Sequence, residues 1–273
     1  MPELPEVESL RRYLIREGMP GSVFERVDVE SKPSPEKGTG AISDLTKLPG
    51  RKVVRLERRG KQIAAVLDQG VLGLHMGMTG RIEVLDDNEP APRFTRVEFT
   101  LRNGAKDLRM VLADPRRWGA IRTFADLSEA FAGLGPDALD PDFTAERFAE
   151  DVSRRKSPIK PLLLDQSLVA GIGNIYADEA LHRVGISPAR RANRISASNL
   201  NALFAAIRES LEHALDFILN HPDDRGRPFI VDAHDDRMRL RRKLGSFCPR
   251  CEIPLVTKSF GGRTAYYCTN CQH

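Results

Sequence analysis

All four cysteines of the chain fall in its last 26 residues, as Cys248-x2-Cys251-x16-Cys268-x2-Cys271. Each pair brings two thiolates to one tight turn. Two such turns complete a tetrahedral shell for one zinc ion with no position left for water, so the spacing points to a structural metal site. Two disulfides are the alternative; the paired two-residue spacing and the lack of an export signal weigh against them. Between the pairs, Pro254 to Phe260 and Arg263 to Tyr267 have strand character around Gly261-Gly262, a turn that needs positive φ. The last segment is therefore expected to be a zinc-clipped β-hairpin.

The remaining chain is long enough for one core or two smaller ones, with 273 residues and 41% hydrophobic content. No apolar run approaches the ~20 residues a membrane helix needs, and the first twenty residues are charged. A cytoplasmic protein with no membrane partner is expected. After Pro5, the spacing of Val7, Leu10 and Leu14 predicts a helix, with glutamates at its positive end and Gly18 closing it. From about 21 to 124 the pattern is one of short alternating runs (Val23 to Val29, Lys61 to Leu67, Val97 to Leu101, Arg109 to Leu112), which predict an antiparallel sandwich or barrel. Gly133-Leu134-Gly135-Pro136-Asp137 and Asp140-Pro141 punctuate the chain, and the pattern is then helical to about 220. The strongest helix follows Ser196, with Leu200, Leu203, Phe204, Ile207, Leu211, Ala214, Leu215 and Ile218 in one core-facing stripe. The expected fold is α+β: a β domain over 1–125 with its terminal helix, a linker over 126–142, a helical domain over 143–220, a loop over 221–247 and the zinc hairpin over 248–273.

Charge is divided unevenly. Residues 1–150 hold 23 basic and 25 acidic side chains, whereas 151–273 hold 19 and 13. Residues 237–273 carry eight basic residues and one acidic residue, Glu252, a density that suits a polyanion such as nucleic acid. A solvated basic face is the plainer explanation of the same numbers. His234 beside Asp235 and Asp236 could suggest a second metal, but a solvated loop is the preferred account.

The start Met1-Pro2-Glu3-Leu4-Pro5-Glu6-Val7-Glu8 has chemistry of its own. Once Met1 is removed, which the small Pro2 permits, the chain begins with a secondary amine beside carboxylates. With a reference pKa of roughly 8, on the order of a tenth of such an amine is neutral at pH 7. It can attack an aldehyde or acetal carbon, and the cationic iminium that forms acidifies the neighbouring carbon and permits elimination. Glu3 is the candidate proton shuttle.

These features occur together with Gly60-Lys61, His75-Met76-Gly77-Met78-Thr79-Gly80, Asp114-Pro115-Arg116-Arg117-Trp118-Gly119 and Gly171-Ile172-Gly173-Asn174-Ile175-Tyr176-Ala177-Asp178-Glu179-Ala180, in that order. The ensemble resembles the formamidopyrimidine-DNA glycosylase family from residue 2 to the last cysteine. The resemblance implies an N-terminal β-sandwich, a helix-two-turn-helix domain and a zinc finger, with double-stranded damaged DNA bound across the cleft between them by a monomer. It implies Pro2 as nucleophile, Glu3 as the acid assisting ring opening, Lys61 as a lysine for the glycosylase and β-elimination steps, and Arg263 as the finger arginine of δ-elimination. Glu6 is implied as a buried anchor of the terminal helix. Met78, Arg116 and Trp118 match residues that fill the gap left by an extruded nucleotide, a filler that flipping requires because stacking is lost. Asn174, His75, Arg155 (with Lys156) and Lys160 match contacts to the DNA backbone, Asn174 by ending a turn of small residues that lets backbone approach phosphate at a helix start.

Three departures from the family pattern stand out. Trp118 is a larger wedge than the usual Phe. Arg93-Phe94-Thr95-Arg96 replaces a histidine-bearing stretch, keeping positive charge with Arg93 as a backbone contact. The lesion-capping motif and a Tyr-Gly-Arg approach to the first cysteine pair are absent from 221–247, where Arg225-Gly226-Arg227-Pro228-Phe229 and the run Met238 to Phe247 stand instead. The expected activity is removal of oxidised purines, 8-oxoguanine or ring-opened formamidopyrimidine, followed by β,δ-elimination at the abasic site. The same chemistry on oxidised pyrimidines or mainly at abasic sites, and a non-catalytic binder of damaged DNA, are the alternatives.

Overall fold

Pro5 in a first helical turn forfeits no intrahelical hydrogen bond, and helix α1 (Leu4–Arg16) buries Val7, Leu10, Tyr13 and Leu14 along one side. The structure, a computed structural model, describes residues 2–30, 40–86, 88–104, 106–228 and 238–273. The chain divides into two compact units.

The first unit comprises Glu6–Ala132 with Pro2 and the described part of His221–Ile230. Its strands are β1 (Val23–Val29), β2 (Val53–Arg59), β3 (Gln62–Leu67), β4 (Val71–His75), β5 (Arg81–Leu85), β6 (Thr95–Asn103), β7 (Lys106–Ala113) and β8 (Ala120–Phe124). They form two antiparallel sheets of four, ordered β1-β6-β7-β5 and β2-β3-β4-β8. Two separate sheets make this a sandwich rather than a barrel. Phe24, Leu56, Ile63, Leu72, Val97, Phe99, Met110 and Leu112 fill the core together with the apolar side of α1. Strand β3 departs from simple alternation, since Ala64 and Ala65 are both buried. Its second face is covered by a short helix, α2 (Leu127–Ala130), whose Ala130 packs with Ala64 and Val71.

The second unit comprises Glu3–Pro5, Gly133–Asn220 and the described part of Val231–His273. Helices α3 (Ala145–Ser153), α4 (Ile159–Leu164), α5 (Asn174–Val184) and α6 (Ala197–Asn220) surround a core in which Phe204 stacks on Phe148 and meets Phe143 edge-on. The expected stripe of α6 is its buried side throughout. Thr144 caps α3 by accepting the Arg147 N–H at 3.3 Å. The hairpin strands are β9 (Val256–Phe260) and β10 (Arg263–Tyr267), joined by Gly261 and Gly262 at φ +55° and +73°, the two left-handed residues that a tight hairpin turn requires.

The segment expected as a linker, 126–142, is ordered and shared. Its first part belongs to the sandwich unit, while Asp137 bridges Ala170, and Ala138 sits in the helical core. The expected loop is shared as well. Residues 221–228 lie with the sandwich, where Arg227 reaches Glu83 at 3.1 Å and Glu89 at 3.2 Å, and Met238 and Leu240 are buried in the second unit. Residues 229–237 of that loop, including Phe229, His234, Asp235 and Asp236, lie outside the described residues.

Candidate functional site

The four cysteine Sγ atoms lie within 4.8 Å of one another, with Cys251 and Cys268 at 3.5 Å and Cys248 and Cys271 at 3.9 Å. Zinc–sulfur bonds of about 2.3 Å in a tetrahedron put sulfurs about 3.8 Å apart. The shell therefore fits one structural zinc, and the cysteines hold it. His182 of α5, which the cysteine spacing alone does not reveal, places Nε2 3.3 Å from Cys248 Sγ and ties the knuckle to the helix.

Glu3 is buried at the start of α5, where its Oε1 accepts the Ile175 N–H at 3.0 Å and its Oε2 the Tyr176 N–H at 3.5 Å. The first N–H groups of a helix have no intrahelical partner and favour an anion. The Glu3 carboxyl group takes two of them, so the Ile175 and Tyr176 N–H groups are turned inside the protein. A Cβ on Gly173 would overlap the Glu3 carboxylate, which is why the turn before Asn174 is glycine. Asn174 donates from Nδ2 to Thr264 O at 3.0 Å.

Lys160 is not a surface contact. Its side chain is 0% exposed and its ammonium faces the buried Asp178 carboxylate, with Thr264 O at 3.4 Å. Burial pushes its pKa down and Asp178 opposes that shift. A lysine in a basic run was expected to reach DNA; the buried carboxylate 18 positions on draws it inward instead. Arg155 and Lys156 are exposed, and so is Arg263 at the hairpin turn.

In the sandwich unit, Pro2 is buried, and Glu6 is buried in the first turn of α1. Half-buried Lys61 follows Gly60 in the β2–β3 turn. Burial, then the charges of Lys61 and Arg122, hold the His75 imidazole below its ordinary pKa. Its Nδ1 accepts the Gly77 N–H at 3.1 Å, so the neutral ring keeps its proton on Nε2. Met78 is half-buried, while Arg116 is exposed with its guanidinium 6.0 Å from the ring centre of Trp118, itself 43% exposed. Buried Asp114 organises these loops by accepting from Thr79 Oγ1 at 2.6 Å, Gly119 N at 2.6 Å and Arg116 N at 3.2 Å.

The stretch 93–96 keeps less usable charge than expected. Arg93 is exposed over the Phe94 ring, but Arg96 is 1% exposed, paired with Glu30 at 2.9 Å and bonded to the carbonyls of Gly119 and Gly40. A further cluster escaped sequence reasoning. The Glu8 carboxylate gathers Arg11, Arg12 and Arg58 at 2.8 to 3.0 Å, and Arg58 Nη1 donates to Gly60 O at 3.0 Å, linking α1 to the turn that carries Lys61. Burial alone would raise the Glu8 carboxyl; the hydrogen bonds and charges of the arginines pull it down to about 2.

Residues 1–121 match the formamidopyrimidine-DNA glycosylase N-terminal domain, 134–219 the H2TH domain of the same enzymes, and 245–273 the zinc finger found in FPG and IleRS. The formamidopyrimidine-DNA glycosylase of Pelotomaculum thermopropionicum is 36% identical over 289 residues, spanning 100% of this chain and 99% of that protein. The MutM (Fpg) protein of Thermus thermophilus superposes with a TM-score of 0.82 at 31% identity, covering 99% of this chain and 98% of that one. The Lactococcus lactis Fpg in complex with Fapy-dG containing DNA gives 0.83 at 27%, covering 99% of each chain. With relatives matched from end to end, a sandwich and helical unit of the same fold and a four-cysteine zinc shell, the chain belongs to the formamidopyrimidine-DNA glycosylase family.

Proposed function

We propose that the chain is a base-excision repair enzyme that extrudes an oxidised purine from double-stranded DNA, removes it and nicks the strand by β,δ-elimination. Pro2, freed by loss of Met1, attacks the sugar anomeric carbon. The base departs and the sugar ring opens to an iminium. Loss of a proton from the adjacent carbon then expels the 3′ phosphate, and a second elimination expels the 5′ phosphate. Glu3 moves protons during ring opening and Lys61 serves the base-removal and first elimination steps. Arg263, always charged, grips the phosphate that leaves in the second. Glu6 anchors α1, which follows the nucleophile.

Met78, Arg116 and Trp118 fill the vacated stack from loops braced by Asp114. Asn174, Arg155, Arg93 and the His75 Nε2–H hold the DNA backbone. Lys160 carries no DNA contact in this reading and supports the site from within the second unit. The domain roles follow: sandwich for chemistry, helices and zinc finger for DNA, acting as a monomer in the cytoplasm. No described helix is long and apolar enough to cross a membrane.

The observation that carries this reading is Glu3, buried one residue from the terminal amine and held by the start of α5. Its experiment is borohydride reduction on an abasic duplex. A stable protein–DNA adduct through Pro2 is expected, and protein that retains Met1 should neither trap nor turn over. Full turnover with Met1 in place would overturn the nucleophile assignment.

A further inference from the structure

A two-stranded hairpin leaves backbone groups unpaired along its outer edges, and one edge of the zinc hairpin is closed by side chains. Tyr266 N–H donates to Asp178 Oδ2 at 3.0 Å. Thr264 O accepts from Asn174 Nδ2 at 3.0 Å, Arg242 Nη2 at 3.2 Å and Lys160 Nζ at 3.4 Å. Arg242 Nε donates to Asp178 Oδ2 at 2.9 Å, and its guanidinium lies 5.2 Å from the Tyr266 ring centre. Asp178 is buried on α5 and also takes the Lys160 ammonium. One carboxylate and one carbonyl thus tie α4, α5 and the segment before the cysteines to β10, immediately after Arg263.

We propose that Arg242 and Asp178 are positioning residues for Arg263, holding it through Thr264 and Tyr266 and thereby setting how many nicks proceed to the second elimination. This rests on the role given to Arg263 above. Arg263 is exposed beside two glycines and pairs with Phe260 across the hairpin, so its place is set through the paired strands, and β10 is the one the clamp holds. Arg242 reaches the carboxylate through Nε and the carbonyl through Nη2, two donors held in one plane, which a single ammonium placed at that position cannot reproduce. The arginine-rich run standing where Tyr-Gly-Arg was expected supplies this clamp.

Arg242 is the residue to change. Removing it leaves Lys160 to neutralise Asp178, whereas removing Asp178 would strand a buried cation. Single-turnover cleavage of an abasic duplex separates the first-nick rate from the share of product ending in 3′ phosphate rather than an unsaturated aldehyde. With Arg242→Met, the first nick and one zinc per chain should be kept while the 3′-phosphate share falls about tenfold, as for loss of a charge-assisted contact. Arg242→Lys should lie between. Arg263→Gln should lower that share by itself, and adding Arg242→Met to it should change nothing more. The inference is overturned if Arg242→Met keeps the normal share while Arg263→Gln loses it, or if the two losses add. An unchanged share in Arg263→Gln would remove the role given to Arg263, and this inference with it.

Discussion

At Glu8, three guanidinium groups converge on one nearly buried carboxylate, and the carboxyl titrates near 2 rather than 4.5. The unfolded chain binds this proton more readily than the native one. The stabilisation is therefore complete above about pH 4.5 and is lost as pH falls toward 2. By linkage it amounts to roughly 3 kcal/mol. Denaturant titrations at a series of pH values should show the native protein weakening over that range. Glu8→Gln should be less stable at neutral pH and lack this part of the acid dependence; an unchanged acid profile would refute the assignment. Because Arg58 also holds the Gly60 carbonyl, Glu8→Gln should slow base removal as well, through the turn that bears Lys61. The sequence shows Glu8 as an acid at a helix start, but nothing in it pairs Glu8 with an arginine 50 positions away.

The hairpin is the element whose existence depends most on a ligand. Two five-residue strands expose most of β9 and bury only Phe260 and Ala265 deeply, too little to fold unaided. Cys268→Ser, or a strong chelator, should release the zinc and weaken binding to damaged duplex by at least about tenfold. Metal analysis and a binding titration check this together, and active protein without zinc would contradict it. The spacing of the cysteines made this element legible in advance. Helix α2 was not legible: four residues carry no periodic pattern, and the helix exists because Asp126 accepts the Glu129 N–H and Ala130 packs on Ala64.

For the whole molecule, the excess of basic residues after position 150 predicts binding that falls steeply with salt, since each phosphate neutralised releases counterions. The chemistry proposed above rests on Pro2, Glu3 and Lys61, whereas 221–247 lacks the lesion-capping motif expected there. An abasic site has no base to cover, so nicking there should be fast. Removal of 8-oxoguanine opposite cytosine should be slower, with ring-opened purines between them. Single-turnover rates on the three duplexes decide the matter, and equal rates for 8-oxoguanine and the abasic site would show that the departure has no consequence.

What the sequence by itself determined is what short-range patterns encode: the cysteine spacing and its zinc, the alternation of the sandwich strands, the stripe of α6 and the ordered motifs that placed the chain in its family. Where charged side chains go was decided by tertiary structure alone. Lys160 and Arg96 sit in basic stretches that suggest an outward face, yet both are buried, since Asp178 and Glu30 meet them there. Glu3 likewise has its partners at Ile175 and Tyr176, 172 and 173 positions away. A buried ion must find its counter-charge or hydrogen-bond donors wherever the fold presents them. That pairing is a property of distance in space, and no local pattern of residues records it.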